Sequence, residues 1–364
     1  MTDKKYIPPA LTTIAAIIYI LINPVETAYY CSYAVKLCIN SLIPSLFIFM
    51  VLSRILSALT AKGVFDCRFT EAVSRLLHLP VCLIPVCIFG LFSGAPSGAF
   101  AISDLYKKGL CSKAEAERAC VLSNNCSAAF ILGFAGSFFD SRYTSFCILI
   151  SNILASVTVY LLLFNSRDIT KHGVYRADCS EGIFSLVTRS ISDAASAVTG
   201  LCGYVLFFST LSGILSHKAG LISSFLNLTP SAILTVKTAV SGFMEITSGI
   251  MNASEISGNA SAVLTASVCA FCGLSVIMQV NGILSKCGLS VKPYLLSRFL
   301  CSMLCPIYTL ILLFISPSYI TVSKTTVSAR HGINGSDVIF LSLIIVIWAV
   351  GGFLLAYLDK KHKN

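Results

Sequence analysis

GLFSGAPSGA, Gly90 to Ala99, and SGFMEITSGI, Ser241 to Ile250, are one motif written twice inside an apolar chain. Aligned without a gap, Phe92 falls on Phe243, Pro96 on Thr247, Ser97 on Ser248 and Gly98 on Gly249. Gly, Pro and Ser interrupt the backbone hydrogen bonding of each stretch near its middle, where lipid offers no substitute partner. Paired interruptions in corresponding halves are the sequence mark of a transporter's binding site. The plain structural alternative is a pair of kinked helices packed through small residues.

The surrounding composition decides between soluble and membrane classes. The 364 residues are 56% hydrophobic and 12% charged, about half the charge of a soluble domain, with a mean hydropathy of +0.84. The net charge of +10 is spread over short loops and the two ends. That spacing reads as topology control and lipid headgroup contact, and argues against nucleic acid as a partner. Lys4 and Lys5 precede the apolar run Ala10 to Ile22 without a small-residue cleavage site after it, so a retained first membrane segment is expected. The sixteen cysteines are scattered through apolar stretches, and Cys269 and Cys272 form the one CxxC. They read as small buried hydrophobes, and no metal site is expected. GxSxG, HExxH and P-loop patterns are absent, which argues against an enzyme and against an ATP-driven pump.

Apolar stretches fall at Ala10 to Ile22, Leu37 to Leu59, Val81 to Ile102, Ala119 to Phe139 and Tyr143 to Phe164. A polar connector, Asn165 to Arg189, precedes Ile191 to Leu215, Leu221 to Ile250, Ala260 to Leu284, Tyr294 to Ile315 and Val338 to Leu358. A spanning helix needs about 20 apolar residues. The two motif-bearing stretches read instead as half-length segments meeting at the break. The repeat extends outward: SLFIFMVLSRIL, ending at Leu56, is similar to GYVLFFSTLSGIL, ending at Leu215, and NNCSAAFILG from Asn124 takes the place of AFCGLSVIMQ from Ala270. The expected fold is an all-α polytopic membrane protein with two repeats of helix, broken re-entrant hairpin segment and helix. The repeats span residues 37–164 and 191–292, around a connector at 165–190, with a membrane segment and linker at 1–36 and C-terminal membrane helices with a basic tail at 293–364. Ser112 and Glu115 have capping-box spacing, so a helix is expected to start there.

SLIPSLFIFMVLSRIL, GLFSGAPSGAFAISDLYKKG and KAEAERACVLSNNCSAAFILG together resemble the sporulation integral membrane proteins of endospore formers, the YlbJ or SpoVV type. That family is related to the gate domains of concentrative nucleoside transporters. The second motif matches the family's Glu-x-Thr-x-Gly at Glu245, Thr247 and Gly249, while Ala95 stands where the family's first motif usually has an aromatic in Gly-Tyr-Pro. The resemblance implies export of dipicolinate from the mother cell across the outer forespore membrane. Nucleoside transport is the related alternative, and a non-transporting envelope scaffold is the competing class. The resemblance also leaves a homo-oligomer and a coupling Na+ or H+ open; beyond a small anion and the bilayer, no cofactor is expected.

The candidate residues follow from these two lines together. Glu245 lies between apolar flanks, where a carboxylate costs a few kcal/mol and so faces a cavity, a partner or an ion. Thr247, Ser248 and Gly249, with Ser93, Gly94, Ser97 and Gly98 in the first half, supply hydroxyls and accessible backbone amides. Asn124 and Asn125, with Ser127 beside them, are expected at the start of an otherwise apolar helix against which the neighbouring broken segment packs, and Ser275 and Gln279 hold the corresponding region; each reads equally as interhelical glue. Two half-helix N-termini, at Ser97 and Ser248, are expected to meet one carboxylate each. Arg54, Lys237 and Arg298 interrupt apolar stretches and are candidate countercharges, Lys237 also as a partner of Glu245, against the commoner fate of snorkelling to headgroups.

Overall fold

The computed structural model describes residues 7–164 and 182–315. The stretch expected at Val338 to Leu358 and most of the polar connector lie outside the described residues. Among the described residues the fold is all-α and multi-pass: four helices are long and apolar enough to cross a membrane, or six if two sharply bent helix pairs each count as one span.

The first bent pair is α1 (Ile7–Ile22) and α2 (Pro24–Leu37), which meet at 101°. Pro24 opens α2, where the missing N–H costs nothing and the ring prevents α1 from continuing. A π-turn, Cys38–Leu42, leads into α3 (Ile43–Ala61). The second bent pair is α4 (Arg68–Leu77) and α5 (Ile84–Ser93), at 99°. Then come α6 (Ser97–Lys107), α7 (Lys113–Ser123) and α8 (Arg142–Leu163). The capping box opens α7 as its spacing predicts: Ser112 N donates to Glu115 Oε2 at 2.8 Å and Glu115 N to Ser112 Oγ at 3.3 Å.

In the second half, α9 (Ile183–Phe225) runs for 43 residues, about 65 Å against a hydrocarbon core of about 30 Å. It starts inside the segment expected to be the polar connector, and it continues past Leu215, where the sequence pattern placed its end. Five further helices complete the described chain: α10 (Pro230–Met244) and α11 (Ile246–Ser254), then α12 (Asn259–Phe271) and α13 (Gly273–Leu284), then α14 (Lys292–Ile315). Large apolar side chains such as Leu21, Ile22, Leu162, Phe225 and Phe314 point outward, the arrangement expected when the solvent is lipid.

The two stretches expected as continuous helices, Ala119 to Phe139 and Ala260 to Leu284, are both broken. The first stops at Ser123 and resumes as a short irregular helical stretch from Phe130. The second breaks at Cys272, whose φ of 70° is left-handed. Each half therefore contains a hairpin and a broken helix, and the hairpin tip packs on the break.

Candidate substrate site

In the first half, α5 ends at Gly94, with φ 76°, and α6 begins at Ser97. A Cβ at Gly94 would stand 2.6 Å from Ser127 N, so the tip lies directly on the broken backbone. Ala95 N donates to Asn125 O at 2.7 Å. Gly98 presses on Ser123, where an added Cβ would come within 2.7 Å of the carbonyl carbon. The α6 N-terminus is capped from outside, because Ala99 N donates to Asn124 Oδ1 at 2.8 Å.

The second half has the same plan with a different cap. Glu245 is the extended residue between α10 and α11, and its carboxylate folds back onto the start of α11. Thr247 N donates to Oε1 at 2.9 Å, and Ser248 N and Ser248 Oγ donate to Oε2 at 2.8 and 3.1 Å. A Cβ on Gly249 would strike Gly242 Cα, which is how closely α10 and α11 cross. Gly273, the repeat partner of Ser127, brings the second break against Glu245, with its Cβ position 3.2 Å from Glu245 Cα.

Both tips reach one cavity with room for about 70 Å³. Its walls follow the repeat, since Leu42 and Leu201, Leu46 and Val205, Ala95 and Ile246, Cys126 and Cys272, and Phe130 and Val276 are equivalent pairs that all line it. The polar lining breaks the symmetry. Asn125 and Ser127 come from the first half, and Glu245, Ser275 and Gln279 from the second. α3 and α9 close the cavity with apolar side chains.

Over 305 residues the chain is 23% identical to the sporulation integral membrane protein YlbJ of Bacillus subtilis (strain 168), an alignment covering 74% of this chain and 73% of that protein. This chain is a multi-pass membrane protein related to a sporulation membrane protein. No protein-family model and no solved structure matches it.

The structure gathers Asn125, Ser127, Glu245, Ser275 and Gln279 of the expected residues around the cavity. The others stand behind them. Ser93 and Ser97 bond each other at 2.9 Å inside the first hairpin. Asn124 caps α6 and lies at the end of α7, not at the start of a helix as its sequence position implied. Gly94, Gly98 and Gly249 serve the close packing of backbone, and Thr247 and Ser248 are the amides that hold Glu245. The expectation that the α11 N-terminus meets a substrate carboxylate is thereby corrected, because the protein's own Glu245 occupies it.

The three candidate countercharges part company. Arg54 is paired with Asp193 at 2.9 Å, away from the cavity. Lys237 packs its stem against Gly220 of α9 and makes no ion pair with Glu245, whose carboxylate already has the α11 amides. Arg298 of α14 is fully buried one layer behind the cavity. Its Nη1 donates to Asn125 Oδ1 at 2.7 Å, and its Nη2 to Val121 O at 3.1 Å and to Ser156 Oγ at 3.4 Å. Its guanidinium lies 5.4 Å from the Tyr294 ring centroid, and Tyr294 donates to Asn124 O at 3.0 Å. Among the described residues no acid pairs with it, so its positive field is felt at Asn125 without local cancellation.

Sequence reasoning missed Leu42, Leu46, Val198, Leu201, Cys202 and Val205 as cavity walls. The alignment of the two FIFMVLSRIL-like runs carried the signal, because it sets Leu46 on Val205. The CxxC cysteines are buried as expected of small hydrophobes, Cys269 fully and Cys272 at 1% exposure.

Proposed function

We propose that this protein is a membrane carrier for a small anionic metabolite, with dipicolinate moving from the mother cell across the outer forespore membrane as the first case to test. The observation that supports the reading most is the single cavity on which both hairpin tips and both broken helices converge, since irregular backbone at membrane depth is tolerated where it is buried in protein or lines a cavity. The similarity to a sporulation membrane protein supplies the setting.

The electrostatics set a condition on this reading. Glu245 is the one charged side chain among the lining residues, and Arg298 acts through Asn125 from behind. A dicarboxylate is repelled by the carboxylate of Glu245, so on this reading the anion enters together with a coupling cation, Na+ or H+. At about 70 Å³ the cavity is smaller than the roughly 300–1,000 Å³ of a ligand pocket, so this reading requires the cavity to widen on loading. A lining of amides without a lining base also favours a second reading, a nucleoside carrier, because uncharged ring and hydroxyl groups match Asn125, Ser275 and Gln279.

Uptake by purified full-length protein in liposomes decides between them. The anion reading expects dipicolinate uptake driven by an inward proton or sodium gradient and exceeding uridine uptake. Preference for uridine establishes the nucleoside reading. No uptake of either under any gradient leaves the scaffold.

A further inference from the structure

The register that pairs Leu46 with Val205 also sets Arg54 on Gly213, Ala34 on Asp193 and Tyr30 on Arg189. α2 and α3 both pack along α9, so α9 is crossed at two equivalent places, one before and one after its cavity-lining residues Val198 to Val205. The two crossings are built from different residues. At the first, Arg54 Nη1 donates to Asp193 Oδ2 at 2.9 Å, and Arg189 Nε stands 3.8 Å from the same oxygen. At the second, the Tyr30 ring lies directly on Gly213, leaving no room for a Cβ, and Ala34 is fully buried. The Arg54 and Asp193 side chains keep 23% and 38% of their surface exposed, so water reaches the ion pair, whereas the second crossing lays a ring on backbone.

One apolar layer separates the ion pair from the cavity. Met50, Phe100, Ala194 and Val198 pack there, and Val198 is itself a cavity wall. The Arg54 guanidinium stands 5.2 Å over the Phe100 ring centroid, so the group that closes the crossing also holds a ring of the layer beneath it. Three residues further on, Ser57 Oγ donates to Asp104 Oδ2 at 2.8 Å and ties α3 to α6. The helices are fixed there, which leaves the side chains of Arg54 and Phe100 as the parts that move.

We propose that the ion pair of Arg54 and Asp193 is the latch of a side-chain gate, and that water and solute reach the cavity past Arg54, Phe100 and Met50. A thin apolar constriction excludes water until its side chains part. An ion pair between partly exposed charges shifts an equilibrium by about five-fold at most, which suits a latch that has to release readily. The purpose of the gate rests on the carrier reading, whereas its opening does not.

Cys202 lines the cavity and is a free thiol, so it reports aqueous access without any transport step. Full-length protein in phosphatidylcholine vesicles is exposed on both faces to a charged methanethiosulfonate, which lipid excludes, and modification of Cys202 is followed over time by peptide mass spectrometry. Asp193→Asn or, should that variant not fold, Arg54→Gln is expected to speed the modification about five-fold. Asp193→Glu, which keeps the ion pair, is expected to leave the rate unchanged. So is Glu26→Gln, which alters the pairing of Glu26 with His217 beyond the second crossing. Equal rates in Asp193→Asn and the native protein overturn the proposal, and so does an equal rise in Glu26→Gln, which would mark a general loosening. Faster modification in Asp193→Asn with no liposome uptake by the native protein would leave the gate standing and sink the carrier reading; uptake with no change in modification would do the reverse.

Discussion

The carboxylate of Glu245 sits on the backbone amide of Ser248 at 2.8 Å, three residues further along the same chain, and faces the central cavity at the same time. One group therefore both completes a half-helix and lines the cavity. Glu245→Gln keeps an oxygen for one amide but loses the charge that suits the helix dipole, so a stability loss of about 1 kcal/mol is expected. Uptake in liposomes is expected to stop, while Glu255→Ala, exposed at the end of α11, is expected to keep it. A fully active Gln variant would remove Glu245 from the mechanism.

Arg298 is the counterpart on the other side of the cavity wall. Replacing it with Met leaves Val121 O without the Arg298 N–H and Asn125 Oδ1 with Ser156 Oγ, at 2.6 Å, as its remaining donor, at a cost of about 1–3 kcal/mol for the buried acceptor left unpaired. A lower melting temperature in detergent is expected for Arg298→Met, with loss of discrimination between anionic and neutral solutes in uptake. Arg298→Lys, which keeps the charge, is expected to retain part of that discrimination. An unchanged anion preference in a folded Met variant would contradict the role assigned to its field.

Gly249 allows α10 and α11 to touch through Gly242, leaving no space for a methyl group. Gly249→Ala is expected to destabilise by about 1–3 kcal/mol through overpacking, seen as a lower thermal midpoint. Gly133, which has nothing within 4 Å of a Cβ position, provides the control substitution by Ala. Equal midpoints for the two variants would show that the hairpin adjusts freely.

Cys67 is exposed at the N-terminus of α4, where hydrogen bonds from the Thr70 backbone amide and then the Thr70 hydroxyl hold its thiol below the ordinary range. Its thiolate forms at lower pH than that of a free cysteine, so its alkylation rate should rise as pH increases through that lowered value. Iodoacetamide at neutral pH is expected to label Cys67 ahead of exposed Cys31, with the order read by mass spectrometry and the advantage reduced in Thr70→Ala, which removes the hydroxyl and keeps the amide. Faster labelling of Cys31 would count against the helix-end effect.

The hairpins were legible because Gly94, Pro96 and Gly98 interrupt an apolar run that lipid cannot pair, and because the second copy shares Ser and Gly at matched positions. The breaks beneath them were not. Asn124 and Asn125 are compatible with a helix end or with interhelical bonds, and Cys272 is an apolar residue held left-handed by its tertiary surroundings, which no local pattern encodes. The self-capping of Glu245 also escaped, although an acid just before a new helical turn is a known cap position. The early start of α9 at Ile183 escaped because the neighbouring charges read as a linker, whereas Leu186 and Ser190 face inward at helical spacing.

Each hairpin tip is keyed into the broken helix beneath it by backbone hydrogen bonds and glycine contacts, Ala95 to Asn125 on one side and Gly273 to Glu245 on the other. α3 and α9 meet the same cavity with apolar side chains alone. In a bilayer the two kinds of joint are unequal, because lipid chains replace apolar contacts at little cost and replace no hydrogen bond. Around the cavity the keyed tips and breaks are therefore the frame, while α3 and α9 are hydrogen-bonded to the hairpins farther out, through Ser57 to Asp104 and Ser212 to Ser241 O. A label that reports distance across the cavity will register motion when one end is fixed to those two helices, and stillness when both ends are fixed to the tips.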